Sequence, residues 1–198
     1  YFRNVNVAPI VADIQAVQPD VIVLQEVSSR QTAMLVTLAA DYPNQYVCRT
    51  ARWNGIVIAS RFEMVPGSGA CSSQRAVARV QMTGPDGPFW VVGVHNEWPW
   101  PKRQQAMVQA ALPLLADMGG DVVVAGDFNT VPWSAVAQSI GKASRTDLIG
   151  PRLTTFWLGW IPLPLDQVWA SCGGRMERRP QLTSDHYGVL ARVFAGNC

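Results

Sequence analysis

Three apolar runs of strand length in this chain end on an ionisable side chain, and two more begin on one. VIVLQ runs into Glu26, WVVGV into His95 and VVVAG into Asp127, while Asp166 opens DQVWAS and Asp185 with His186 opens the last apolar run. Buried strands ordinarily finish in turn-forming residues, so recurring carboxylates and imidazoles at strand ends point to a fold that gathers those ends at one sheet edge. The intervening segments set the layers. Ile10, Val11, Ile14 and Val17 share one helical face before Pro19 and Asp20, and a second helix is predicted over Arg30 to Ala40. Strands are predicted at Tyr46 to Arg49, Gly55 to Ser60, Gln74 to Met82 and Pro88 to His95, the last two split by the turn-rich TGPDG. Lys102 to Met118 reads as a helix containing Pro113, and Gly119 and Gly120 end it before DVVVAGDFN. Hairpins thus alternate with helix–strand crossovers, which predicts an α/β fold with mixed sheets and helices packed outside.

A length of 198 residues with 48% hydrophobic and 15% charged residues is enough for a full core in a single domain. Disorder, collagen and coiled coil are excluded, and no run of about 18 apolar residues is present to span a bilayer. Net charge is +2, too weak a field to draw the whole chain onto a polyanion. Arginine supplies nearly all the positive charge, Lys102 and Lys142 being the only lysines. Cys48, Cys71, Cys172 and Cys198 form no CxxC pair, which argues against a zinc knuckle or a thioredoxin-type site. They allow three disulfide pairings, of which Cys48–Cys71 and Cys172–Cys198 close local loops; four buried free thiols of a cytosolic protein are the alternative.

Asp127 and Asn129 are two residues apart, so in an extended stretch both side chains leave from one face and meet one ligand. Several acids at one edge repel each other unless a cation lies among them. Carboxylates and an amide, with no cysteine nearby in sequence and only two histidines, suit magnesium or manganese far better than zinc. Such a site suits phosphoryl chemistry, with a carboxylate–amide pair orienting water and an imidazole neutralising developing charge. Taken singly, each Asp could be a turn former or helix cap and each His a structural one. Six such residues at strand ends, with both histidines among them, make coincidence the poorer reading.

In order along the chain, PDVIVLQEV (Pro19 to Val27), GIVIASR (Gly55 to Arg61), VGVHNEWP (Val92 to Pro99), AGDFNTVPWS (Ala125 to Ser134), LDQVWAS (Leu165 to Ser171) and SDHYGVLARV (Ser184 to Val193) resemble motifs of the endonuclease/exonuclease/phosphatase superfamily. That superfamily includes pancreatic-type deoxyribonucleases, apurinic endonucleases, neutral sphingomyelinases and inositol polyphosphate phosphatases. The resemblance implies a four-layer sandwich of two facing mixed β-sheets flanked by helices, with the site at one edge. It implies Glu26 as the principal metal carboxylate and Asp185 as a second acid at the metal or phosphate. Asp127 and Asn129 would align water or hold the phosphate, His186 oriented by Asp166 would contact the scissile phosphate, and His95 would touch it too. Members usually begin with a strand carrying an Asn near the metal. This chain starts at Tyr1, where that strand should be ending, and the spacing of Asn4 and Asn6 suits neither as a replacement. Residues 1–198 are therefore expected to be one domain lacking its first strand, which would lie upstream of Tyr1.

WPWP at Trp98 to Pro101 and FWLGWIPLPL at Phe156 to Leu165 place Trp98, Trp100, Phe156, Trp157, Trp160 and Ile161 in loops expected to rim the site. Amphipathic rings of this kind suit a membrane interface or a lipid tail, the alternative being that they pack on one another. The WPWP segment also resembles bacterial membrane-tethered members of the superfamily. The expectation is a monomeric Mg2+- or Mn2+-dependent hydrolase of a phosphodiester or phosphate ester, lipid-linked, near a membrane through an upstream segment and outside the cytoplasm. The alternatives are an endonuclease or exonuclease acting on nucleic acid, DNA or RNA, and a non-catalytic binding module; without the tether the protein would be cytoplasmic.

Overall fold

The computed structural model describes residues 6–49, 55–101, 103–194 and 196; Asn4, Lys102 and Cys198 lie outside them. The first apolar face forms α1 (Ala8–Val17), which has a proline in its first turn and ends on Gln18 in a left-handed conformation. It feeds β1 (Val21–Val27), and a single 3-10 turn at Ser29–Gln31 leads into α2 (Thr32–Leu38). Next come β2 (Asn44–Arg49), β3 (Gly55–Ser60) and the short strands β4 (Glu63–Met64) and β5 (Ala70–Cys71). The long hairpin of β6 (Val77–Gly84) and β7 (Gly87–His95) turns at Pro85 and Asp86, with Gly87 at φ +116°. Then follow α3 (Gln104–Ala116), β8 (Asp121–Asp127), α4 (Ala135–Ser144), β9 (Asp147–Leu148), β10 (Phe156–Leu158), β11 (Ile161–Leu163), β12 (Asp166–Ala170), β13 (Gly174–Arg178) and β14 (Val189–Val193).

These elements stack in four layers. β1, β3 and β2 form an antiparallel sheet, with β3 in the middle. The larger sheet runs β4-β6-β7-β8-β12-β9, with β5 also on β6, and is mixed because β7 and β8 pair in parallel. Ile56, Ile58, Val80, Met82 and Val91 pack between the two sheets. The outer face of the small sheet is covered by α1 and α2 through Ile14, Leu35 and Leu38, and that of the large sheet by α3 and α4 through Val108, Leu115 and Ile140. The expected α/β sandwich is therefore present, its smaller sheet wholly antiparallel. Cys48 and Cys71 are disulfide-bonded with Cα atoms 6.0 Å apart, tying β2 to β5. This is one of the two local pairings expected.

The Phe156 to Leu165 stretch differs from its reading as loop. Phe156–Leu158 and Ile161–Leu163 pair as a two-stranded hairpin around Gly159 at φ +64°. Three-residue strands rich in Pro and Trp carry too little period-two pattern to be read locally. The helix α4 and the strand β13 also escaped sequence reading, although Ser134 caps α4 by accepting the Ala137 N–H at 3.1 Å. Asn129 is not in extended backbone: β8 stops at Asp127, and Asn129 sits at φ +47°.

Candidate active site

The register of the large sheet assembles the site. Across β7, β8 and β12, His95 lies opposite Asp127 and Asp127 opposite Asp166, so three ionisable side chains fall in one row. Gly126 lets the row close up. At φ +143° its absent Cβ would lie 2.1 Å from the Val94 carbonyl oxygen, so no other residue fits before Asp127. Phe128 is fully buried and stacks on Trp169 with ring centroids 6.2 Å apart. With that ring anchored in the core, the chain turns sharply between Asp127 and Asn129.

That turn makes one hydrogen-bonded unit of the two residues. The Asn129 backbone N–H donates to Asp127 Oδ1 at 2.8 Å, and Asn129 Nδ2 donates to Asp127 Oδ2 at 3.0 Å and to the Asn96 carbonyl at 2.7 Å. Asp127 and Asn129 were expected to present side chains from one face of an extended stretch; they instead bond to each other through a left-handed turn. Gln104, buried at the start of α3, holds the loop by donating to the carbonyls of Glu97, Phe128 and Asn129. Sequence reasoning missed Gln104 and Asn96; the one signal was polar side chains in otherwise core-forming segments.

Glu26 arrives from the other sheet. β1 loses register with β3 between Leu24 and Val27, and Glu26 sits in that bulge at φ +57°. A left-handed non-glycine residue at a bulge re-aims its side chain at some conformational cost, a pattern that clusters at functional sites. His95 Nε2 lies 3.6 Å from Glu26 Oε1. His95 thus sits against Glu26 and does not line the cavity, where it was expected to touch phosphate.

His186 comes from the loop before β14, where Leu182 and Thr183 also have positive φ, and its N–H donates to Ser184 Oγ at 3.1 Å. Its Nδ1 lies 2.7 Å from Asp166 Oδ2, as the sequence predicted for the orienting pair. Asp166 is itself placed by Thr155 Oγ1, which accepts its backbone N–H at 3.0 Å. The Phe156 ring tilts over the imidazole at 4.7 Å and meets Trp98 edge-on at 5.7 Å. Glu26, Asp127, Asn129, Asp166, Asp185 and His186 all line one cavity of about 160 Å³, with Trp98 and Phe156 in its wall. Of the aromatic residues expected at the rim, these two reach the cavity wall; Trp100, Trp157, Trp160 and Ile161 are exposed beyond it.

Electrostatics separate the roles. Burial would lower the His186 pKa, but its hydrogen bond to Asp166 and the charges of Asp166, Asp127 and Asp185 outweigh it and push the pKa up to about 9. Burial raises Asp127 well above the usual carboxylate range, and the Asp166 charge adds to it against the pull of His186 and the Asn129 amide. Burial lowers His95, opposed by Glu26. His186 binds its proton more tightly folded than unfolded. The stabilisation from the His186–Asp166 pair is therefore complete below about pH 6.5 and is lost as pH rises through about 9. In chelator, stability should fall across that window by on the order of 3 kcal/mol, which in a chain of this size lowers Tm by roughly 6–12 °C. Asp166→Asn should flatten the fall; thermal denaturation at several pH values checks this, and an undiminished fall in the variant would contradict the assignment.

The donor set suits a hard cation. Carboxylate oxygens dominate, Asp127, Asp166 and His186 place one ligand atom each within 4.8 Å of one another, and Asn129 Oδ1 is buried without a hydrogen-bond partner.

The family described as endonuclease/exonuclease/phosphatase matches residues 4–186. Among solved structures, an endonuclease/exonuclease/phosphatase from Beutenbergia cavernae is 22% identical with a TM-score of 0.70; the match covers 95% of this chain and 66% of that one. An AP endonuclease from Archaeoglobus fulgidus is 15% identical with a TM-score of 0.69, covering 93% and 92%. A beta toxin variant from Staphylococcus aureus with bound magnesium ions is 12% identical with a TM-score of 0.70, covering 94% and 91%. No curated protein matches the sequence significantly.

Proposed function

The chain belongs to the endonuclease/exonuclease/phosphatase family, and on that premise we propose that it is a magnesium- or manganese-dependent phosphoric ester hydrolase cleaving a phosphodiester or phosphate ester. The observation that carries this is the Asp166–His186 pair in one cavity with Glu26, Asp127, Asn129 and Asp185. Glu26 and Asp185 would hold the cation, and magnesium as that cation is supported by the ions bound in the staphylococcal structure. When bound, the ion polarises the phosphate and stabilises the leaving oxygen. Asp127, rigidly paired with Asn129 and raised in pKa, is suited to orient water and take its proton. His186 is cationic at neutral pH, and with Nδ1 held by Asp166 it keeps Nε2 for the scissile phosphate, where it neutralises charge and protonates the leaving oxygen. Asp166 holds the ring; His95 and Gln104 act as positioning residues behind Glu26 and the Asp127–Asn129 turn.

The substrate in this proposal is lipid-linked. From Leu153 to Leu165 the chain carries no charge, and Trp157, Leu158, Trp160 and Ile161 are exposed on the hairpin next to the cavity wall. Neutral amphipathic rings favour a lipid interface over a polyphosphate backbone, which would call for cations. A disulfide between Cys48 and Cys71 supports a compartment outside the cytoplasm. No helix of the described residues is long and apolar enough to cross a membrane, so tethering would fall to another segment. The second reading, a nuclease, is favoured by the likeness to the archaeal AP endonuclease. Turnover of phospholipid in vesicles should exceed turnover of plasmid, single-stranded and abasic DNA. Replacing Trp157 and Trp160 together with serine should lower the ratio of vesicle to soluble-phosphodiester turnover about tenfold. Cleavage of DNA alone would establish the nuclease.

A further inference from the structure

The β10–β11 hairpin joins the catalytic centre at its root and stands free at its tip. Among the described residues it pairs with no other strand, and each of its strands has three residues. A lone two-stranded hairpin is marginally stable in water, and this one leaves Trp157, Leu158, Trp160 and Ile161 exposed around Gly159. With its apolar residues in water, the tip belongs among the segments that open locally at small cost.

The root is the reverse case. Thr155, fully buried just before β10, accepts the Leu165 and Asp166 N–H groups on its Oγ1 at 3.1 and 3.0 Å, and the Tyr187 N–H on its carbonyl at 2.8 Å. One residue thus ties the start of β12, which carries Asp166, to the loop that carries His186. Its own N–H donates to the Leu163 carbonyl at 3.0 Å, a bond across the hairpin, so the tie is anchored only while β10 and β11 stay paired. Phe156, next in sequence, stands opposite Leu163 in the ladder and lays its ring over the His186 imidazole, with centroids 4.7 Å apart. Trp98 backs that ring edge-on at 5.7 Å. Along the strand Trp157 leaves from the opposite face, so the neighbour of the residue on the imidazole is itself in contact with the surroundings.

Among the described residues the His186 side chain has one hydrogen-bond partner, Asp166, at Nδ1. An imidazole held by one bond tilts about it, and Nε2 swings with the tilt; a ring packed on its face removes that freedom. Displacing a catalytic group by about 1 Å is enough to cost on the order of 100-fold in rate.

On the basis of the hydrolase reading above, we propose that Phe156 is a positioning residue for His186, and that through it and Thr155 the docking of the hairpin on a lipid surface raises kcat. With the hairpin paired, the imidazole is fixed toward the phosphate; with it open, the ring keeps only its bond to Asp166. A lipid surface takes up Trp157, Leu158, Trp160 and Ile161 together when the hairpin is paired, and so draws the population to the paired form. No charged residue lies between Leu153 and Leu165, so the surface recognised is uncharged lipid. The interface then acts as an activator even for a substrate dissolved in water.

Turnover of bis(para-nitrophenyl) phosphate in magnesium, with and without vesicles of a diglycosyl diacylglycerol, tests this. The substrate is soluble, and the vesicle lipid carries no phosphate to be hydrolysed. Saturating vesicles should raise kcat roughly threefold or more while KM stays nearly constant. Phe156→Ala should lower kcat roughly ten- to hundredfold with little change in KM and abolish the response, and Phe156→Tyr should restore both. In the Trp157→Ser, Trp160→Ser double variant the ratio of rates with and without vesicles should fall to about one. An unchanged kcat of the unaltered protein at saturating vesicles overturns the proposal, and where phospholipid is still hydrolysed it does so with the substrate assignment left standing. A Phe156→Ala loss confined to KM overturns the positioning role. No turnover of any phosphodiester by the unaltered protein, in magnesium or manganese, overturns the hydrolase reading and this inference with it.

Discussion

Replacing His186 by alanine is expected to lower kcat for metal-dependent hydrolysis by roughly a thousandfold, within the range of 10²–10⁴ that a positioned general acid supplies. The imidazole is the one side chain in the cavity held cationic at neutral pH, with a pKa of about 9, and its Nδ1 is committed to Asp166 at 2.7 Å. On the proposed mechanism its loss removes both the proton donor and the positive charge facing the phosphate. Asp166→Asn should cost less, since the ring stays and Phe156 still packs on it at 4.7 Å, but the alkaline limb of the kcat profile should move to lower pH. That shift separates positioning from damage to the fold. Retained turnover in His186→Ala with an unchanged melting temperature would sink the assignment.

Glu26→Gln should abolish turnover at ordinary magnesium concentrations and raise the magnesium needed for half-maximal rate at least tenfold, by analogy with the roughly 10–100-fold cost of disturbing a metal site. The substitution keeps the shape of a side chain that leaves a left-handed bulge residue, so the backbone has no new reason to rearrange. What it removes is one of the negative charges lining the cavity, where Asp127 is hydrogen-bonded by Asn129 and Asp166 by His186. Calorimetric titration with magnesium should show weakened binding, and the rate should recover partly at high metal. Unaltered magnesium affinity in Glu26→Gln would move the ion to the Asp127, Asp166 and His186 group, whose ligand atoms lie within 4.8 Å of one another.

Much of this was legible before the fold was seen, and for a local reason. Strand length, the alternation of helix and strand and the polar residue at each strand end are short-range patterns, so Glu26, Asp127, Asp166 and His186 stand out along the chain. The Cys48–Cys71 bridge was one of two local pairings. Other features depend on residues far apart in sequence. The β10–β11 hairpin is made of proline- and tryptophan-rich triplets that are strands only because they pair with each other. His95 leads from its strand end to Glu26 because β1 crosses in front of it, and Gln104 matters only because α3 begins beneath the Asp127–Asn129 turn.

By itself the sequence determined which residues carry charge at strand ends, and hence the α/β class, the expectation of hard-cation chemistry and the candidate acids. Tertiary structure alone decided how they are arranged: that Asp127 and Asn129 meet through a left-handed turn, that Asp166 holds and charges His186, and that a bulge in β1 turns Glu26 toward the other sheet's row. The reason is physical. Periodicity and residue type act over a few neighbours, whereas a raised pKa and a bulge that re-aims a carboxylate are created by desolvation and pairing between segments that meet only when the layers close.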